Sequence, residues 1–153
     1  MRRMVCLAAM LAATAIVASA QTKPAAPAAG EACSLLTKDD AGTALGEAVT
    51  GPKSVSVPGG ASSCEYTGSG IHVVHLNVIP FDPATAAVYK AKCAQKSKDG
   101  LTGLGDVTCW YNDKHGELQV LKGNTFFSIE LRKSGDPTEA IKAVARKVYE
   151  RLK

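Results

Sequence analysis

The chain has 153 residues and a net charge of +4, from 18 lysines and arginines against 14 aspartates and glutamates. So small an excess gives no basis for nucleic-acid binding, which needs a clustered basic face. Aromatic residues make up 5% of the chain, too few for a surface that stacks sugars or bases. The length suits a short leader followed by a single domain with a real core.

Residues 1–20 have the layout of a cleavable signal peptide. Two arginines precede an apolar run over residues 4–18, and the segment ends in Ala18-Ser19-Ala20. This order of charge, short apolar core and small-x-small site is typical of export signals. The run is also shorter than the ~20 residues of a permanent membrane span. We therefore predict a periplasmic or secreted mature chain that begins at Gln21 and has no transmembrane segment.

Cleavage changes both the charge and the cysteine count. Two arginines and Cys6 leave with the signal, so the net charge falls from +4 to +2 and four of five cysteines remain. An even number in an exported protein predicts two disulfides among Cys33, Cys64, Cys93 and Cys109. Three connectivities are possible. We favour Cys33–Cys64 with Cys93–Cys109, because each bridge then stays within one half of the chain.

A metal or cofactor role for these cysteines is not expected. Zinc sites and thiol-exchange enzymes usually bring cysteines in close pairs, and the chain has no C-x-x-C. We predict neither a metal site nor a cofactor.

Residues 21–32 are rich in alanine and proline, which predicts a flexible tether before a single disulfide-stapled domain over residues 33–153. Thr37 and Asp40 have the spacing of a capping box for a first helix that ends at Gly46. Asp-Pro pairs at 82–83 and 136–137 open a second and a third helix.

Strand patterns fill the two intervals between these helices. We predict strands near 49–57, 62–67, 71–79, 107–111, 118–121 and 125–132, separated by glycine-rich turns. The order is α-βββ-α-βββ-α. It predicts an α+β fold with an antiparallel sheet of five to six strands, helices packed on one face and a possible degenerate internal repeat.

The chain shows no recognisable catalytic constellation. His72 and His75 form H-x-x-H, but residues at this spacing on a strand point to opposite faces and do not chelate one metal. One aromatic spot stands out as a possible interface, comprising Trp110 and Tyr111 with the nearby turn residue His115. Tryptophan and tyrosine are favoured anchors of protein interfaces.

Several short motifs resemble those of a known group of exported domains. They are Cys33-Ser34-Leu35-Leu36-Thr37, Ala44-Leu45-Gly46, Cys64-Glu65-Tyr66 and Gly103-Leu104-Gly105-Asp106. Together they resemble the uncharacterised secreted and lipoprotein domains of the DUF3558 type, which are similar to the extracellular sensor domain of a mycobacterial serine/threonine kinase. The resemblance implies an extracytoplasmic α+β domain with the first two cysteines bridged, and it implies no activity. The chain departs from that group by lacking a lipobox.

We therefore expect a non-enzymatic binding domain that engages a protein or a small ligand. One alternative is an inhibitor or immunity protein that blocks a secreted enzyme or toxin. Another is an enzyme whose site is dispersed along the sequence.

Overall fold

The computed structural model describes residues 31–56, 58–96 and 103–152. The predicted signal peptide lies outside the described residues. Within them, no helix combines the length and the apolar character that a membrane crossing requires.

The described residues form four helices and six strands. The helices are α1 (Glu31–Leu35), α2 (Lys38–Leu45), α3 (Pro83–Cys93) and α4 (Thr138–Arg151). The strands are β1 (Thr50–Ser56), β2 (Ser62–Thr67), β3 (Val73–Pro80), β4 (Val107–Trp110), β5 (Glu117–Lys122) and β6 (Thr125–Arg132). The predicted α+β class is confirmed, and the predicted order α-βββ-α-βββ-α is preceded by one further short helix, α1.

A short helix that was not predicted, α1, precedes the first predicted helix. We placed residues 21–32 in the tether, but α1 starts at Glu31 and Ala32 is fully buried. The backbone N–H of Ala32 donates to Ser62 Oγ on β2. A small residue packed against the sheet resembles an alanine-rich linker in sequence, which is why composition alone misplaced this boundary.

Local capping explains where the longer helices begin. The Thr37 hydroxyl accepts from the backbone N–H of Asp40, and the Asp40 carboxylate accepts from that of Thr37, as a capping box requires. Asp82 Oδ1 accepts from two backbone N–H groups at the start of α3. Asp136 accepts from the N–H of Thr138, so α4 begins one residue after the predicted proline.

The six strands form one antiparallel sheet in the order β1-β2-β3-β6-β5-β4. Each half of the chain supplies a three-stranded meander, and the two meanders meet where β3 pairs with β6 along the whole of Val73–Pro80. This strand order agrees with an internal repeat. The helices do not follow one, because α2 and α3 lie on opposite faces of the sheet.

Helices cover both faces of the sheet, whereas we predicted one covered face. Val78 and Phe127 face the main core with α1, α2 and α4. Their neighbours Ile79 and Phe126 point the other way, where α3 packs on them. Because side chains alternate along a strand, these outward apolar residues require a cover of their own. The Phe81 and Tyr89 rings lie 5.2 and 5.0 Å from that of Phe126.

Both predicted disulfides are present, one on each face. Cys33 of α1 is bonded to Cys64 of β2 on the main-core face. Cys93 of α3 is bonded to Cys109 of β4 on the opposite face. Each bridge therefore ties a helix to the sheet strand beneath it, as is common in proteins of oxidising compartments.

A buried carboxylate joins α2 to α4. Asp40 is 4% exposed, and its two oxygens bond Lys147 Nζ at 2.9 Å and Arg151 Nη1 at 2.5 Å. Burial alone would raise the pKa of Asp40, but the bonds from Arg151, Lys147 and Thr37 outweigh it, and the pKa is lowered. Arg151 also donates to the Leu35 carbonyl, which ties α1 into the same contact.

We predict different stability losses for the two disulfides. Replacing Cys33 and Cys64 with alanine opens a bridge of sequence separation 31 and should lower the free energy of unfolding by roughly 4 kcal/mol. The equivalent change at Cys93 and Cys109, separation 16, should cost about 3 kcal/mol. Urea denaturation without reductant measures both. A double variant as stable as the parent would contradict the assigned role of its bridge.

We predict that Asp40→Asn destabilises the protein by about 3 kcal/mol, because it leaves two cations facing an uncharged group at a buried contact. The pKa of Asp40 is lower in the folded protein than in the unfolded chain. The ionised carboxylate therefore contributes its full share of the free energy of unfolding above the unfolded-state pKa of about 3.9, and this share is lost as the pH falls towards the folded-state pKa. The variant should therefore lose stability less steeply in acid. Asp39→Asn, an exposed change in the same helical turn, is the control. Parallel pH profiles for parent and Asp40→Asn would refute this account.

Candidate functional site

The described residues cover only part of the face of the sheet that carries α3. Helix α3 packs on an apolar row that crosses the sheet, consisting of Ile79, Phe126, Leu121 and Val107. Two residues away from this row on β3, β6 and β5 lie neutral polar residues, namely Asn77, Ser128 and Gln119. Two residues further along the same strands lie His75, Glu130 and Glu117. We call the part of this face beyond the apolar row the polar face and define it by the two rows described next. Two of its residues, Ser128 and Gln119, are buried at 3% and 8% exposed, and most of the others are half-buried.

The charged row of the polar face crosses five strands. Strand register places Lys53, Glu65, His75, Glu130 and Glu117 side by side in that order. Directly opposite residues in antiparallel strands have Cβ atoms about 4.5–5.5 Å apart. The row therefore places one carboxylate on each side of His75 and a third beyond Glu130, with a lysine at the edge strand.

Two carboxylates of this row face each other directly. Glu117 and Glu130 are paired across β5 and β6, and like charges in that position destabilise a sheet. Each carboxylate has one neutralising or polar neighbour. Arg132 Nε lies 3.3 Å from Glu130 Oε1, and Gln119 Nε2 donates to Glu117 Oε1 at 3.1 Å. The fold thus tolerates a repulsion that one uncharged side chain would remove.

The neutral row lies between the charged row and α3. It contains Ser63, Asn77, Ser128 and Gln119, paired in that order across four strands. Asn77 Nδ2 lies 3.5 Å from Ser128 Oγ. The Tyr89 hydroxyl of α3 donates to Gln119 Oε1 at 3.1 Å. Burial and the nearby charge of Glu117 raise the pKa of Tyr89, so this hydroxyl remains a donor and fixes the Gln119 amide.

A shallow cavity of about 200 Å³ opens beside the neutral row. Its walls are mainly apolar and come from β1, β2, β3 and the turn before β2, namely Val55, Ala61, Ser62, Ser63, Asn77 and Ile79. Val55 is 47% exposed on the edge strand. The cavity is large enough for one apolar side chain, at the end of the polar face nearest β1.

The predicted interface at Trp110, Tyr111 and His115 is not a continuous exposed aromatic surface. Trp110 is 1% exposed, and its ring stacks on that of His115 with centroids 4.6 Å apart. Tyr111 is 55% exposed, with Lys96 Nζ 4.9 Å above its ring. Trp110 lies in β4, within the strand predicted near 107–111, and its side chain points into the main core.

The two histidines of H-x-x-H lie in different surroundings. His75 is part of the charged row, whereas His72 precedes β3 and bonds Glu47 and Ser134. Over residues 31–56, 58–96 and 103–152, no group of three or more His, Cys, Asp or Glu side chains is placed to hold a metal ion. The charged row spreads its carboxylates along a line, so a cationic side chain fits it better than one coordinated ion.

Comparison with known proteins adds no family. No family model matches the chain, and neither a curated protein nor a solved structure matches it. The resemblance to DUF3558-type domains therefore stays a prediction based on the short motifs quoted above.

We predict that Glu117→Gln raises the free energy of unfolding by about 0.5 kcal/mol, because it removes the repulsion with Glu130 and leaves an oxygen that can still accept from Gln119. Urea denaturation at low salt measures the gain. Glu150→Gln, which makes the same charge change at an exposed position of α4, should show no such gain. A loss of stability in Glu117→Gln would mean that this carboxylate stabilises the sheet.

Proposed function

We propose that the protein is an exported binding domain whose polar face takes a basic segment of a partner protein. The observation that carries the proposal is the charged row, which aligns three carboxylates with His75 on a part of the sheet that no described helix covers.

The charge of the row favours a cationic partner. Its three carboxylates outnumber its one lysine, and Lys53 stands at the outer end on the edge strand. Arg132 offsets part of the charge of Glu130, which leaves Glu65 and Glu117 as the carboxylates best placed for incoming lysine or arginine side chains. Complementary charge gives specificity and a faster encounter more than it gives affinity.

The cavity beside the neutral row favours a protein segment over a small cation. An extended chain laid along the polar face would place its basic side chains over the charged row and an apolar side chain in the cavity by Val55 and Ile79. Between them, Ser63 and Asn77 offer hydrogen-bonding groups to the backbone of such a segment. An apolar anchor next to polar contacts is the usual composition of a protein interface.

The two disulfides and the predicted signal peptide support the proposed location. Cys33–Cys64 and Cys93–Cys109 are both formed, which suits an oxidising compartment such as the periplasm or the exterior. The partner proposed here would therefore be an exported or surface-exposed protein.

The proposal is tested by fluorescence anisotropy with a labelled synthetic peptide of alternating lysine and serine that contains one leucine. We predict saturable binding at low ionic strength that weakens towards about 0.15 M salt, as screening shortens the range of the charges. The double variant Glu65→Gln with Glu117→Gln should weaken it by roughly three- to tenfold. A peptide with glutamate in place of lysine should not bind.

The matched control is the double variant Glu139→Gln with Glu150→Gln, which makes the same charge change on the exposed surface of α4. It should bind the lysine peptide as the parent does. If both double variants weaken binding equally, only net charge matters and the polar face is not the site. Equal binding of the glutamate peptide would also overturn the proposal.

A further inference from the structure

Three loops meet at the end of the sheet that lies just beyond the charged row. They are the loop after α2, the turn between β2 and β3, and the loop between β6 and α4. Each contributes one side chain to a continuous chain of hydrogen bonds, in the order Glu47, His72 and Ser134. These three residues are far apart in sequence, so no local sequence motif indicates that they lie together.

The first link orients the histidine. Glu47 Oε1 lies 2.7 Å from His72 Nδ1. The Ser69 hydroxyl donates to the other oxygen of Glu47 at 2.6 Å, and the Ser69 N–H donates to Oε1 at 3.1 Å. The Ser69 hydroxyl, His72 and the Ser69 N–H lower the pKa of Glu47 to about 2. This carboxylate therefore remains charged and holds the ring through Nδ1.

The second link determines which nitrogen carries the proton. The backbone N–H of Ser134 lies 3.3 Å from His72 Nε2, and a backbone N–H can only donate. His72 Nε2 must therefore be the acceptor, which puts the proton of the neutral ring on Nδ1, facing Glu47. Ser134 Oγ lies 3.2 Å from the same Nε2. A serine hydroxyl next to an unprotonated, carboxylate-oriented imidazole is the arrangement of an activated nucleophile.

Ser134 is open to approach. It is exposed, and a Cβ added at the next residue, Gly135, would meet no atom within 4 Å. His72 and Glu47 are 23% and 26% exposed. An acyl donor can therefore reach the hydroxyl from solvent, while the base stays fixed between two loops.

We propose that Ser134 is an acyl-accepting nucleophile that reacts with esters of small, unhindered acyl groups. His72 is its general base and Glu47 the positioning residue. Ser134 Oγ forms a bond to the ester carbonyl carbon while the hydroxyl proton passes to His72 Nε2. The transferred proton takes the lone pair of Nε2, so the hydrogen bond from the Ser134 backbone N–H to that nitrogen is broken. The bond to the leaving alkoxide then breaks. The alkoxide takes the proton and departs as the alcohol, leaving an ester on Ser134. Attack by water, with the same proton path, releases the carboxylic acid and restores the serine.

The test is acetylation of the mature, disulfide-bonded protein by p-nitrophenyl acetate, followed by absorbance of the released nitrophenolate and by peptide mass mapping. We predict that the acetyl group appears first on Ser134. Loss of general-base assistance in His72→Asn should slow labelling by about 100-fold.

Two controls separate activation from simple exposure. In His72→Asn the amide Nδ2 can still donate to Glu47, so the loops remain joined without a base. Ser54→Ala removes an exposed serine of β1 and should leave the rate unchanged, whereas Ser134→Ala should abolish the fast phase. Thermal unfolding shows that each variant is folded. Acetylation spread over exposed serines and lysines, or equal Ser134 labelling in the parent and in folded His72→Asn, would overturn the proposal. Neither result bears on the polar face.

Discussion

The pairing of β3 with β6 is the constraint on which the rest of this structure depends. It joins the two meanders over the length of Val73–Pro80, and its register decides which side chains share a face. One register places Val78 beside Phe127 in the main core and Ile79 beside Phe126 under α3. The same register aligns His75 with Glu130. A shift of one residue would exchange the two faces, so core, helix cover and polar face are set together.

The two faces are closed to different degrees. The main-core face is sealed by three helices, by the Cys33–Cys64 bridge and by the ion pairs of Asp40 with Lys147 and Arg151. The opposite face has one helix, of which Ala86 and Cys93 are the buried residues, and one bridge. Its surface changes from apolar to neutral to charged within about 13 Å along each central strand, at about 3.3 Å per residue. The proposed binding role rests on this gradient.

Local chemistry in the sequence was enough to predict the six strands, three of the four described helices and the two disulfides. The caps at Thr37 and Asp82 are short-range signals, and the structure has them where they were expected. We did not predict that α3 covers part of the second face of the sheet, that Trp110 is buried, or that the charged row forms. Each depends on which strands become neighbours, and the meeting of β3 with β6 brings together residues such as His75 and Glu130 that no local pattern relates. The link from Glu47 through His72 to Ser134 escaped sequence reasoning for the same reason.

The most direct test of the binding account is to map amide chemical shifts by NMR while the lysine–serine peptide is added to the mature protein. The account predicts that the largest shifts fall on the strand residues whose side chains form the polar face, with Glu65, His75, Asn77 and Gln119 among them. The amides of α2 and α4, on the opposite side of the sheet, should remain in place. Shifts centred on α2 and α4, or no shifts at peptide concentrations that saturate the anisotropy signal, would contradict it.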